Sequence, residues 1–191
     1  MRAITDVDRS FSWLGRFPLA VDLADTVRVV DDQEVELLVD DDALDAWIAA
    51  EAPRYPNVPA AQDRLKDVRA MRDAVRELLV AHIQNASLPP SALHTITSMS
   101  ARSPSFPVLA ADGHHEIVEV NEDAFEMFAA DVARSVIEVI SNDVPPLARC
   151  NAPRCGMFFA PMNPRQRWCS PECGNRARVA RHASRARTSM T

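Results

Sequence analysis

The first 149 residues contain no cysteine, and the whole 191-residue chain has only four glycines. The larger part of the protein can therefore hold neither a disulfide nor a thiolate metal site. So little glycine leaves scant material for loops that cradle phosphates, and no dinucleotide fingerprint, phosphate loop, HExxH or GxSxG string occurs. No apolar run approaches the ~20 residues of a membrane span. The opening Met1-Arg-Ala-Ile-Thr-Asp-Val-Asp is acidic and lacks the apolar stretch of a secretory leader. Repeats and low-complexity tracts are missing too. His82, His94, His114 and His115 gather no partners that would make a catalytic site. These absences point to a soluble, cytoplasmic protein that is not an enzyme.

What is present is concentrated at the C-terminal end. All four cysteines fall there, as Cys150-x4-Cys155 and, after thirteen intervening residues, Cys169-x3-Cys173. Two short pairs separated by about a dozen residues suit one structural Zn2+: each pair supplies thiolates at roughly 2.3 Å to one side of a tetrahedral ion. A disulfide pair is the runner-up, opposed by the missing leader, and an iron–sulfur centre or redox pair is a further alternative.

Charge divides the chain at the same place. Residues 149–191 carry nine arginines and one acid, Glu172, a balance of +8, whereas residues 1–148 carry 12 basic and 26 acidic residues, a balance of −14. An acidic protein with a lysine-free arginine tail around a metal knuckle has the electrostatic footprint of an appended polyanion-binding unit. The chain is expected to consist of an acidic domain, 1–146, and a basic zinc finger, 147–191, with Pro145-Pro146 at the boundary.

Local patterning gives a helix-rich α+β fold for the first domain. Val27–Val30 and Val35–Val39 flank Asp31-Asp32-Gln33-Glu34 as a hairpin, and Asp42 is expected to cap a helix presenting Leu44, Trp47 and Ile48 until Pro53 and Pro56. From Pro59 to about Asn85, Leu65, Val68, Met71, Ala74, Leu78 and Ile83 recur at helical spacing. Pro89-Pro90-Ser91 opens a helix with Leu93, Ile96 and Met99 inward. Phe106–Leu109 and Glu116–Val120 flank an Asp-Gly turn, a hairpin signal. Phe125, Phe128, Val132, Val136, Val139 and Ile140 stripe the next helix, bounded by Asn121 or Asn142. The segment from Arg16 to Val27 begins at period two and ends nearer a helix, so its state is ambiguous.

In the metal unit, Gly156 follows the second cysteine where a knuckle needs a residue tolerant of positive φ. Met157–Ala160 and Arg165–Trp168 flank Pro161-Met162-Asn163-Pro164 as the arms of an expected hairpin. Ser170-Pro171-Glu172 is a helix start, so Cys173 lies in the first helical turn. Knuckle, hairpin and helix is a treble-clef-like order. On the helix, Arg178, Arg181 and Arg185 share one face, with Val179, Ala183 and Ala186 expected to pack on the hairpin. Asn175 and Arg176, at the helix start, either brace the knuckle or reach nucleic acid; Trp168 reads as core before base-stacking platform. The candidate nucleic-acid contacts are Arg165, Arg167, Asn175, Arg176, Arg178, Arg181 and Arg185.

Arg167-Trp168-Cys169-Ser170 followed by Cys173-Gly174-Asn175-Arg176 and an Arg/His/Ala helix resembles the CGNR zinc-finger family, and Cys150-x4-Cys155-Gly156-x-Phe158 resembles its first knuckle. In that family the finger follows an ABATE domain, described as a stress-induced transcription regulator. Pro18–Thr26 is similar to that domain's opening motif and Leu65–Arg76 to its central helix. Two departures stand out: Asp25 replaces the motif's usual Asn, and Ala160–Pro164 replaces a turn that usually carries an acid and a hydroxyl residue. The resemblance implies a bacterial-type transcription regulator whose finger binds DNA while the acidic domain senses or dimerises. An RNA-binding or ribosome-associated zinc protein is the alternative, and a finger used as a protein-interaction module, even against the chain's own acidic domain, is a third. The expected partners are nucleic acid, DNA before RNA, a second copy of the chain and a small-molecule effector in the acidic domain, with no membrane.

Overall fold

The computed structural model describes residues 11, 14, 17–30, 33–55, 63–142 and 146–188. These form, in order, α1 (Leu19–Ala24), β1 (Val27–Val30), β2 (Gln33–Glu36), α2 (Asp41–Glu51), α3 (Leu65–Ile83), α4 (Pro90–Arg102), β3 (Ser105–Leu109), β4 (His115–Glu119), α5 (Ala124–Asn142), β5 (Ala148–Arg149), β6 (Phe158–Phe159) and α6 (Pro171–Thr188). The strands pair antiparallel as β1–β2, β3–β4 and β5–β6. This is the mixed α+β architecture expected, with helices supplying the core and the strands confined to small hairpins.

The short helix α1 lies at the centre. Its apolar residues Leu19, Ala20, Val21, Leu23 and Ala24 leave no polar face, so the helix is stable only when enclosed, and all six of its residues are buried between α3 and α5. The ambiguous segment is therefore helical because of what surrounds it. Its one acid, Asp22, is paired with Arg54 of the loop after α2 at 2.7 Å. Around α1, the stripe Val68, Met71, Val75, Leu78 and Leu79 of α3 faces Phe128, Val132 and Val136 of α5, and Trp47 of α2 meets Phe128 edge-on with ring centroids 6.1 Å apart.

Several local expectations shift by small amounts. The cap of α2 is Asp40, not Asp42: its extended backbone lets Oδ1 accept from the Ala43 N–H at 2.9 Å. In α4, Ile96 and Met99 are buried but Leu93 is exposed, and Ala92 takes the inward position instead. The first turn of α5 is capped by Asp123, whose Oδ1 accepts from the N–H groups of Phe125 and Glu126, while Asn121 holds Asp123 and the end of α4. The turn residues Asp31 and Asp32, Pro56 and the stretch 59–62 lie outside the described residues.

Arginines of α3 tie the first hairpin to the helices. Arg72, itself buried, pairs with Glu36 at 2.6 Å. Arg76 donates to the carbonyls of Ala24 and Val27 and pairs with Glu34 at 2.7 Å. The guanidinium of Arg76 also stands 6.0 Å from the ring centroid of Phe158, so the helix that organises the acidic part also touches the cysteine-bearing unit.

Candidate functional site

The first cysteine pair sits in the loop of the β5–β6 hairpin. Ala148 pairs with Phe159 and Arg149 with Phe158, and the Cys150 N–H donates to the Met157 carbonyl at 2.8 Å, which closes the knuckle. Arg154 and Gly156 both have positive φ, 66° and 73°. At Gly156 the requirement is also steric. A Cβ there would lie 2.7 Å from Val29 Cγ2 and 3.1 Å from Val29 Cβ, so glycine permits both the turn and close contact with β1.

The finger's strand pair differs from the expected one. Residues 158–159 pair backwards with β5, and 165–168 form no strand. Pro161 and Pro164 fix φ at both ends of the connecting segment, and Pro164 has no N–H with which to close a turn onto the Pro161 carbonyl. The intervening loop is closed instead by Gln166, whose side chain accepts from the Met162 N–H at 2.8 Å and donates to the Trp168 carbonyl at 2.9 Å. The returning segment docks on the knuckle through Asn151 N–H to the Arg167 carbonyl. Ser170 caps α6 as expected, its hydroxyl accepting from the Cys173 N–H at 3.3 Å.

These elements bring Cys150, Cys155, Cys169 and Cys173 together, with all four sulfurs within 4.8 Å of one another and three of the residues buried. The Cys155–Cys169 and Cys169–Cys173 sulfur separations are 3.6 and 3.4 Å. Thiolates about 2.3 Å from a tetrahedral ion stand roughly 3.8 Å apart, so the cluster fits one zinc after slight expansion. None of the four is disulfide-bonded, and all four converge as one ligand set. The protonation balance shows why a cation belongs there. Hydrogen bonds from Cys155 and Cys169 push the Cys150 thiol down to about 2. Donating to Cys150 pushes Cys155 up to about 12, and the same partners hold Cys169 well above the usual thiol range. Four sulfurs this close cannot all be thiolates without a positive charge among them.

The knuckles have outer support. The Cys169 N–H points at Cys150 Sγ at 3.4 Å, and Arg176 donates to Cys173 Sγ at 2.9 Å. Of its two possible roles, Arg176 thus has a visible one in bracing the site. Asn175 beside it is exposed.

The unit is seated on the acidic part through contacts that periodicity could not reveal. Phe158 and Phe159 are fully buried, β6 lies against α1, and the Val29 N–H donates to the Cys155 carbonyl at 3.0 Å. Asp25, at the end of α1, accepts from the Phe158 N–H at 2.8 Å, while its second oxygen is buried without a partner. Burial drives the Asp25 carboxyl well above the usual carboxylate range despite that hydrogen bond and the nearby Arg28. Its place in the opening motif was the only sequence signal, and it gave no hint of this partner 133 residues away.

The sequence-predicted basic surface separates into parts. Arg178, Arg181 and Arg185 are exposed on α6, as are Arg165 and Arg167. Arg181 folds back, with its guanidinium 5.9 Å from the Trp168 ring centroid, above a groove of about 390 Å³ lined by Asn151, Pro153, Arg167, Trp168 and Ala177. Of the expected apolar stripe, Val179 and Ala183 do not pack, and the side chain of Ala186 lies outside the described residues. Val179 is 63 % exposed and Ala183 is exposed, and of the α6 residues whose burial is described, from Pro171 to Arg185, only Cys173, Gly174 and Ala177 are buried. Ala180, Arg181 and Ser184 wall the groove beside Asn151 and Pro153, and the outer side of α6 from Arg178 to Arg185 faces solvent. Among the described residues, no ion pair joins an α6 arginine to an acid of the larger part.

Comparison with known proteins agrees with this geometry. Residues 18–143 match the model of the ABATE family, described as "Putative stress-induced transcription regulator", and residues 147–186 match the CGNR zinc finger. Among curated proteins, none matches the chain in sequence. No described helix is long and apolar enough to cross a membrane. Both matches are of regulator and zinc-finger types, and since the first spans most of the molecule, the chain belongs to the ABATE family and ends in a CGNR zinc finger whose four cysteines are positioned for one structural zinc ion.

Proposed function

We infer that this protein regulates transcription in the cytoplasm by binding duplex DNA through the zinc finger, acting as a binding protein and not as an enzyme. The observation that carries the reading is helix α6, whose Arg178, Arg181 and Arg185 are exposed and, among the described residues, held by no acid of the larger part, with Arg165 and Arg167 exposed on the same unit. Arginines that no carboxylate neutralises on a metal-stapled module match phosphate geometry and attract the duplex electrostatically. Asn175, at the start of α6, is the side chain best placed to reach a base edge, because the N-terminal turn of a recognition helix is the part presented to the groove. The acidic part takes the sensing role, and a groove of about 590 Å³ bounded by Arg76, Glu77, Gln84 and the finger's Arg149 would let an effector touch both units.

One observation favours RNA as the second reading. The groove floored by Trp168 and flanked by Arg167 and Arg181 offers an aromatic face with two cations, a combination suited to an unstacked base. Selection with the zinc-loaded full-length chain from random pools of duplex DNA and of RNA separates the two. Enrichment of a DNA motif supports regulation at an operator. Enrichment in the RNA pool alone favours the second reading, and retention of neither leaves the finger as a protein-interaction module.

A further inference from the structure

The β3–β4 hairpin is apolar and uncovered. Of the eleven exposed large hydrophobic residues among those described, six lie on it: Phe106, Val108, Leu109, Ile117, Val118 and Val120. Leu109 is 77 % and Ile117 57 % exposed, and the two strands make their main contacts with each other. A bare two-stranded ribbon of this kind is marginal in water by itself and presents open edges to pairing.

The two edges are not equivalent. The Ala110 N–H donates to the His114 carbonyl and the Val120 N–H to the Pro104 carbonyl, so the pairs Val108–Glu116 and Phe106–Val118, in the same register, are the hydrogen-bonded ones. The alternate residues then turn their backbone groups outward: Ser105, Pro107 and Leu109 on β3, and His115, Ile117 and Glu119 on β4. On β3 the central outward position is a proline, which has no N–H to offer and blocks further pairing. On β4 the opposite position is Ile117, with both groups available.

The β4 edge is complementary to itself. Two copies of His115-Glu116-Ile117-Val118-Glu119 placed antiparallel about a two-fold axis at Ile117 set Ile117 against Ile117 of the other copy and His115 against Glu119. All three positions have outward backbone groups, so each facing pair exchanges two N–H···O bonds. On the same face, a row of Pro107 and Ile117 from each copy becomes continuous. The imidazole N–H of His115 finds a carboxylate in Glu119, which is already held in place by Arg134 at 3.3 Å and the Ser103 hydroxyl at 3.4 Å.

We propose that this edge is the homodimer interface of the protein: two chains join β4 to β4 about Ile117, making one four-stranded antiparallel sheet. The inference stands apart from the polymer the finger binds, although a two-fold dimer carries two fingers and would read a symmetric pair of half-sites if that reading holds.

The test is the molar mass of the zinc-loaded full-length chain by sedimentation equilibrium, for the wild type and for Ile117→Pro. The proline removes an outward N–H and leaves the β3–β4 hydrogen bonds in place, so the fold should survive, as unchanged far-ultraviolet circular dichroism would show. The wild type is expected at twice 21.1 kDa and Ile117→Pro at 21.1 kDa. A monomeric wild type at every concentration reached, or a dimer unchanged by Ile117→Pro, would overturn the proposal. Should Ile117→Pro fail to fold, Ile117→Cys decides instead. Mild oxidation should link Ile117→Cys into a covalent dimer and leave Leu109→Cys, separated from its counterpart by two intervening strands, unlinked; equal linking of both, or of neither, contradicts the arrangement.

Discussion

Replacing Gly156 by alanine probes the point where the first knuckle, the zinc site and the acidic part meet. The backbone there has φ 73°, a conformation that disfavours any Cβ by about 1–2 kcal/mol. The new methyl would also lie 2.7 Å from Val29 Cγ2 and 3.1 Å from Val29 Cβ. Valine is stiff about χ1, so the contact cannot be relieved by a side-chain swing, and forcing an extra carbon into such a contact adds about 1–3 kcal/mol. Together the substitution should destabilise the zinc-loaded protein by about 2–5 kcal/mol, lowering the thermal midpoint by on the order of 10 °C for a chain of this size. The decisive assay is a double-mutant cycle in chemical denaturation with Val29→Ala, which removes Cγ2. Gly156→Ala should cost about 1–2 kcal/mol less in the Val29→Ala background, which removes the 2.7 Å contact and leaves the backbone strain and the milder 3.1 Å approach to Cβ. Equal cost in both backgrounds, or a cost under about 1 kcal/mol in the wild type, would refute the seating of the knuckle on β1.

Three further outcomes follow from single residues. Asp25→Asn keeps an oxygen for the Phe158 N–H and removes a buried acid, so it should raise the thermal midpoint at neutral pH, whereas Asp25→Ala strands that N–H and should lower stability by about 1–3 kcal/mol. Glu51 is fully buried, and its carboxyl is pushed up to about 7 by burial first and the neighbouring Asp22 charge second. The folded chain then keeps a proton that the unfolded chain releases near the ordinary value of 4.5, so stability should fall as pH rises from about 4.5 to 7, by about 3 kcal/mol for this group. Glu51→Gln should flatten that part of the curve in denaturation measured at stepped pH. Arg176→Ala removes the donor to Cys173 Sγ and should weaken zinc retention about 10–100-fold in competition with a chelator, while Asn175→Ala should leave it unchanged.

Much of this was readable from the chain. The stripes of α3 and α5 needed only local periodicity, the Ser170-Pro171 start of α6 only capping chemistry, and Gly156 only the demands of a knuckle. The cysteine spacing foretold a cluster that the fold assembles from a hairpin loop and a helix start. What escaped was set by contacts distant in sequence. α1 is a helix because α3 and α5 enclose it, and six residues carry too little periodicity to show that. The finger's strand pair was assigned to the wrong partner because the β-prone runs 157–160 and 165–168 are adjacent, yet the intervening prolines disfavour their ladder and β5 precedes the knuckle. Val179 looked like part of a packing stripe, but spacing along a helix cannot tell whether a partner surface exists. Asp25 and Phe158 give no joint signal at all; their bond appears only when α1 and β6 meet.

The central claim is that the exposed arginines of α6 bind duplex DNA, and the salt dependence of that binding tests it most directly. Affinity of the zinc-loaded full-length chain for duplex DNA should be measured by fluorescence anisotropy over a range of salt concentrations, for the wild type and for the triple variant Arg178→Ala, Arg181→Ala and Arg185→Ala. Each phosphate contact contributes about 0.9 to the log–log slope, so the triple variant should lose roughly 2.7 units of slope together with most of its affinity, while keeping its zinc. A triple variant that retains zinc and binds with the wild-type affinity and slope would contradict the account.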